Sequence, residues 1–160
     1  MIDNSTKGIL WEKLWNLDET PYVWGGETPD GSDCSGLVMQ CFKGCGLFAD
    51  DTPDHTAAML FNAYEITSEP ESAPPYDDSD FLGHLVFFSA AVDPHGPITH
   101  VEILLNNTVS MGARGNSKAI SVEKAKELNM YVRSAQFRGR KHMVVRGYAN
   151  PFKGMKVKGV

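Results

Sequence analysis

Apolar residues recur at helical spacing through the first 64 positions of this chain, and in strand-like runs from position 84 onward. That switch of period limits the fold more than any other feature. Ile9, Leu10, Leu14, Trp15 and Leu17 share a helical stripe, with Ser5 or Thr6 placed to cap it, which predicts a helix over about 6–17 that ends before Pro21. The pattern of 22–24 reads as extended and 25–31 as loop. A second helix is predicted over Cys34–Gly44, with Ser32 and Asp33 as capping candidates and Gly44 and Gly46 as stop signals. A short third helix over 56–64 follows Pro53, with His55 as its capping candidate. Strand-like runs then cover 84–89, 99–105 and 109–114, the last two joined at Asn106-Asn107, residues suited to a hairpin turn. A short helix fits Val122–Leu128, and 130–148 reads as one or two further strands. Helices first and antiparallel strands afterwards make an α+β fold. The stretch "TSEPESAPPYDDSD" at 67–80, rich in proline and acids, reads as a long surface loop. No repeat and no second domain is visible, so 1–160 is expected to be one domain.

Composition narrows the classes. A chain of 160 residues with 42% hydrophobic and 22% charged residues can bury a core without staples. No apolar run is long enough to span a bilayer, so no membrane insertion is expected. Fifteen basic against 20 acidic residues give a net charge of −5, which argues against nucleic acid as a partner. The basic strip of Arg133, Arg138, Arg140, Lys141 and Arg146 is read as a solvated face with charges flanking strands. Three cysteines cannot all pair within one chain. With no secretory signal at the N-terminus, the expectation is synthesis in the cytoplasm with reduced thiols, as a monomer.

The chemistry concentrates in "YVWGGETPDGSDCSGLVMQC", where a glycine-rich loop becomes a helix at Asp33-Cys34-Ser35. A helix N-terminus carries partial positive charge and unpaired N–H groups. A cysteine placed there is favoured as thiolate, the nucleophilic form, and the same N–H groups can receive an oxyanion. Position alone leaves a second reading open, a small buried apolar side chain at a helix start. Cys41 and Cys45 continue the Cys34 face at i+7 and i+11 and read as core. No His or Cys pair follows at ligand spacing, so no metal site and no cofactor are expected. A nucleophilic cysteine needs a base. Of His55, His84, His95, His100 and His142, His100 opens the strongest strand pattern, "HVEILL", directly after the Gly96-Pro97 loop, whereas His95 in "DPHGP" reads as exposed.

The block from "PYVWGG" to "GSDCSGLV" resembles the signature of the NlpC/P60 cysteine peptidases, in which Tyr-x-Trp-Gly-Gly leads through Gly-x-Asp-Cys-Ser-Gly into a helix. "GHLVFF" is similar to that family's Gly-Asp-Leu-Val-Phe-Phe strand, with His84 in place of the usual aspartate. "HVEILL" resembles its His-Val-Gly-Ile-Tyr-Leu strand, with Glu102 where glycine is common. The resemblance covers roughly residues 8–150. It implies a papain-like α+β fold, with the cysteine helix packed on an antiparallel sheet. It implies peptidoglycan as the partner, cut between γ-D-glutamate and the diamino acid of the stem peptide. Cys34 is then the nucleophile and His100 the general base. Asp33 and Ser35 match positions that contact substrate, the aspartate able to pair with a free amine, and Tyr22 matches a tyrosine near the oxyanion site. The family commonly places a polar residue, often His, twelve positions after the base; here that position is Gly112. Ser110 shares its strand face by alternation and is the expected third member in its place, with a backbone carbonyl or a water as the alternatives.

The expected function is therefore a peptidoglycan endopeptidase acting on the wall after release by a phage or a secretion system, a phage endolysin among the roles it fits. Two other readings stand beside it. One is a thiol amidase or acyltransferase on the same fold, whose relatives often place His before Cys, the reverse of the order here. The other is a catalytically weak wall-binding or assembly module, motivated by Gly112.

Overall fold

The computed structural model describes residues 4–72 and 78–156. Helix α1 spans Asn4–Asn16 and contributes Leu10 and Leu14 to the core. A two-stranded ladder, β1 (Glu27–Thr28) and β2 (Gly31–Ser32), precedes α2 (Cys34–Gly44). After α3 (Ala57–Ala63) come β3 (Leu85–Ala90), β4 (His100–Leu104), β5 (Val109–Ala113), α4 (Val122–Leu128), β6 (Val132–Gln136) and β7 (Met143–Ala149). Strands β3 to β7 form one antiparallel sheet in the order β6-β5-β4-β3-β7. The result is an α+β fold, as the change of period predicts.

Side-chain alternation on this sheet explains why its central strands read as continuous apolar runs. Leu85 and Phe87 on β3, with Val101 and Ile103 on β4, join Leu37, Phe42 and Leu60 of the helices in the main core. Val86, Phe88 and Leu104 face the other way and meet Phe81, Phe137 and Tyr148 in a second cluster. Both faces are covered, so β4 is buried at every position. Each of these large side chains contributes on the order of 1.5–3 kcal/mol by leaving water. The polar residues His100 and Glu102 alternate with Val101 and Ile103, on the face shared with Val86 and Phe88. Burying them there is costly unless their polar atoms find partners.

Local signals set the helix limits. Thr56 caps α3 through its side chain on the Met59 N–H, while the His55 ring bonds the Pro53 carbonyl instead. Cys41 is buried in the body of α2 and Cys45 closes it as C-cap; both are free thiols packed in the core. The ladder β1–β2, over 27–32, falls mostly within 25–31, where a loop is expected because Gly, Pro and Asp are poor strand formers. It forms because neighbouring contacts hold both strands, including a bridge from Tyr22 to Ser32. Within the expected surface loop at 67–80, Thr67 pairs with Tyr148 and a turn of 3-10 helix begins at Asp78; residues 73–77 lie outside the described residues. Among the described residues, no helix is long and apolar enough to cross a membrane.

His84 is the exception to polar satisfaction in this core. It is 2% exposed, its ring lies against Phe81 and Phe152, and its Nδ1 has no hydrogen-bond partner among the described residues. Burial first, and then the charge of Lys7, lowers its pKa from the ordinary 6.5 to about 4, against the opposing pull of Glu71 and Asp80. The folded state therefore refuses a proton that the unfolded chain accepts between those two values. Stability is expected to fall as pH drops from about 6.5 to about 4, by on the order of 3 kcal/mol in all. Urea titrations across that range check this. A His84→Gln protein should show a flatter acid limb, and an unchanged limb would exclude His84 as its source.

Candidate active site

Cys34 is the first residue of α2, and the loop before it is stitched to the helix end by Asp33. The Asp33 carboxylate caps the helix by accepting the Gly36 N–H at 2.7 Å and reaches back to accept the Gly25 N–H at 3.1 Å. Its own N–H donates to the Gly26 carbonyl at 2.9 Å. Gly36 has no room for a side chain, because a Cβ there would lie 2.1 Å from the Gly26 carbonyl oxygen. Loop and helix are thus locked at the point where the thiol emerges, and a cap of this kind contributes about 1 kcal/mol. The glycines at 25, 26 and 36 serve this close approach.

His100 opens β4 and is 8% exposed. Its Nε2 bonds Glu102 Oε2 at 2.6 Å, and its ring lines the same cleft as the Cys34 thiol. Burial works against charge on this imidazole. The Cys34 and Glu102 partners outweigh it and push its pKa up from 6.5 to about 9. Glu102 itself is completely buried. It accepts Ser110 Oγ at 2.7 Å, Arg140 Nη1 and Nη2 at 2.6 and 3.0 Å, and Arg114 Nη2 and Nε at 3.1 and 3.3 Å. Burial alone would raise its pKa, but His100 above all, then Arg140 and Arg114, hold it well below the usual carboxylate range. A buried carboxylate with this many charged donors is fully satisfied.

The residues named from the sequence do not all converge. A cleft of about 360 Å³ brings together Tyr22, Trp24, Cys34, His100, Arg114 and Arg140. Tyr22 is buried beside Cys34; desolvation, reinforced by Cys34 and Asp33, raises its pKa, so the phenol keeps its proton and can donate it. Asp33 and Ser35 are not among the residues lining this cleft: the Asp33 carboxylate accepts the Gly25 and Gly36 N–H groups and Ser35 Oγ at 3.4 Å. Ser110 sits one bond farther out than expected, on Glu102 instead of on His100. Arg140 is not part of a solvated basic face; its side chain is 14% exposed, and its guanidinium stacks over Phe88 and is bound to Glu102. His95 is exposed, as its loop suggests.

The group that sequence reasoning missed is Glu102. The hairpin pairs Ile103 with Met111 and Leu104 with Ser110, so the next pair in register is Glu102 with Gly112. A Cβ at Gly112 would lie 2.2 Å from Glu102 Cγ. One volume beside His100 is filled from β4, and β5 must leave it empty. Glutamate at 102 and glycine at 112 are a single feature, and the hairpin turn at Asn106-Asn107 was the signal that could have linked them. Gly112→Ala is expected to cost about 1–3 kcal/mol by overpacking against a side chain that four partners hold in place. In a Glu102→Gly background the same substitution should be close to neutral. Urea denaturation of the four proteins measures this coupling; equal costs in both backgrounds would show that Glu102 is not the obstacle.

With this geometry in hand, the relatives can be compared. The NlpC/P60 family profile matches residues 19–139. The bifunctional muramidase/DL-endopeptidase CwlT of Bacillus subtilis (strain 168) is 38% identical over 88 residues, which are 54% of this chain and 23% of that protein. The chain thus spans under a quarter of that relative. NlpC2 from Trichomonas vaginalis superposes with a TM-score of 0.66 at 18% identity, over 94% of this chain and 48% of that one. An NLP/P60 family protein similar to lipoprotein from Staphylococcus aureus superposes with a TM-score of 0.64 at 21% identity, over 93% and 42%. At these identities the structures speak for the fold, and the profile, covering most of the chain, speaks for descent: the chain belongs to the NlpC/P60 family.

Proposed function

We propose that this chain is a cysteine peptidase that cuts the stem peptide of peptidoglycan, at the bond between γ-D-glutamate and the diamino acid. The observation that carries the reading is Cys34 at a capped helix N-terminus, in one cleft with a buried His100 that Glu102 clamps at 2.6 Å. Family membership and the DL-endopeptidase named in the relative CwlT support the choice of bond.

The chemistry follows from the geometry. His100 has the proton, so Cys34 Sγ acts as thiolate and forms a C–S bond to the γ-glutamyl carbonyl carbon. The oxyanion that develops is met by the Tyr22 hydroxyl and by N–H groups at the start of α2. When the C–N bond breaks, the imidazolium gives its proton to the departing amine. A water then attacks the thioester, His100 takes the proton from it, and the C–S bond breaks to return the thiolate–imidazolium pair. Throughout, Glu102 keeps the ring in one orientation and favours its charged form, the role that an acid plays behind histidine in other triads. Gly112 motivated a non-catalytic reading, and that motive weakens because the orienting group arrives from Glu102.

Cys34→Ala should abolish cleavage of defined muropeptides as read by mass spectrometry of the products. Products cut at any other bond would sink the proposed specificity. The pH dependence has a definite sign. The folded pKa of His100 is raised above 6.5, so its ion pairing stabilises the fold fully below that value and is lost as pH rises through about 9. Peptidase activity should decline over the same alkaline range, since the leaving amine then finds no acid. Glu102→Gln removes the partner carboxylate and should move that decline to lower pH by about one unit or more. Its folding is checked by circular dichroism first; an unmoved alkaline limb in a folded protein would count against the clamp.

A further inference from the structure

We infer that Arg114 receives a free carboxylate of the substrate, the one carried by a γ-linked glutamyl residue on the acyl side of the scissile bond. The inference rests on the peptidase reading above and adds to it a recognition residue and a charge requirement. Glu102 is one carboxylate with two guanidinium partners, and they are not equivalent. Arg140 holds it at 2.6 and 3.0 Å and is 14% exposed; Arg114 holds it at 3.1 and 3.3 Å and is 27% exposed. Arg114 uses Nε and Nη2 for those bonds, and its Nη1 makes none among the described residues.

Charge counting at the cleft points the same way. Cys34 and His100 share one proton and carry no net charge between them, and Glu102 cancels one of its two arginines, so one positive charge is left over. The chain carries an excess of acids, yet among the described residues no Asp or Glu lines the cleft that Arg114 shares with Cys34. The Asp33 carboxylate is engaged by the Gly25 and Gly36 N–H groups. A γ-linked glutamyl residue brings an α-carboxylate within a short aliphatic chain of the carbonyl that Cys34 attacks. A guanidinium with spare donors beside that carbonyl suits it in charge and in planar geometry. Its buried partner Glu102 keeps Arg114 oriented before substrate arrives, which lowers the ordering cost of binding.

The test uses two stem peptides that differ in one group, a free α-carboxylate or an α-carboxamide on the γ-linked D-glutamyl residue. Calorimetry with Cys34→Ala protein reads binding, and the unaltered protein reads cleavage. The acid peptide should bind and react better by roughly ten- to a hundredfold, as expected for a charge-assisted contact. Cys34→Ala/Arg114→Gln should bind both peptides alike, and Cys34→Ala/Arg114→Lys should retain part of the preference. Equal binding of the two peptides to the Cys34→Ala protein, binding of neither, or a preference that survives Arg114→Gln each overturn the inference. So does a uniform loss on both peptides with the preference retained, since that would make Arg114 only a support for Glu102. Selective binding with no cleavage by the unaltered protein would instead sink the peptidase reading and leave Arg114 as a carboxylate site.

Discussion

The Glu102 carboxylate is the interaction on which the site depends. It lies on the central part of the sheet with no exposed surface, and a lone charge there would be prohibitive. Four side chains from different parts of the chain answer it: His100 on the same strand, Ser110 on the next, Arg114 just beyond that strand, and Arg140 in the turn between β6 and β7. Each of these segments is placed by satisfying the same two oxygens. Pairs of this kind are weak evidence for stability, because desolvation offsets much of the attraction. In this packing all four side chains converge on one carboxylate, and the imidazole takes its orientation from that arrangement.

The helix end opposite it is built on a second closed set of bonds. Asp33 ties Gly25 to Gly36, Gly26 accepts from Asp33, and Gln40 holds Ser32, so the loop and the first turn of α2 move as one unit. Cys34 stands at the boundary of this unit and meets His100 across the cleft. Nucleophile and base are thus each fixed by their own side of the fold, and the contact between them needs no flexible segment among the described residues. Rigid support on both sides is what a productive attack geometry demands.

Much of the architecture was legible because it depends on local signals. The period change at 64–84, the cap at Asp33, and the limits of α2 and α4 all follow from residue type and spacing. The ladder β1–β2 was not legible, since its residues disfavour strands and only neighbouring contacts impose the pairing. Arg140 reads as surface on composition alone, because nothing in "FRGRKH" reveals that a buried carboxylate waits across the sheet. Asp33 and Ser35 point to substrate by their place next to a cysteine, yet backbone donors claim the carboxylate first.

The amino-acid sequence by itself determined the α+β order of elements, the placement of Cys34 at a helix start, and the choice of His100 among five histidines, because each is a matter of local pattern or of a short motif. Only the tertiary structure decided what stands behind the base. Glu102 and Gly112 are ten residues apart, and each is an oddity when considered alone. Once β4 pairs with β5, they occupy the same volume, and the side chain that one strand omits is the one the other supplies. That exchange depends on register, a property of two strands together that neither strand carries in its own sequence.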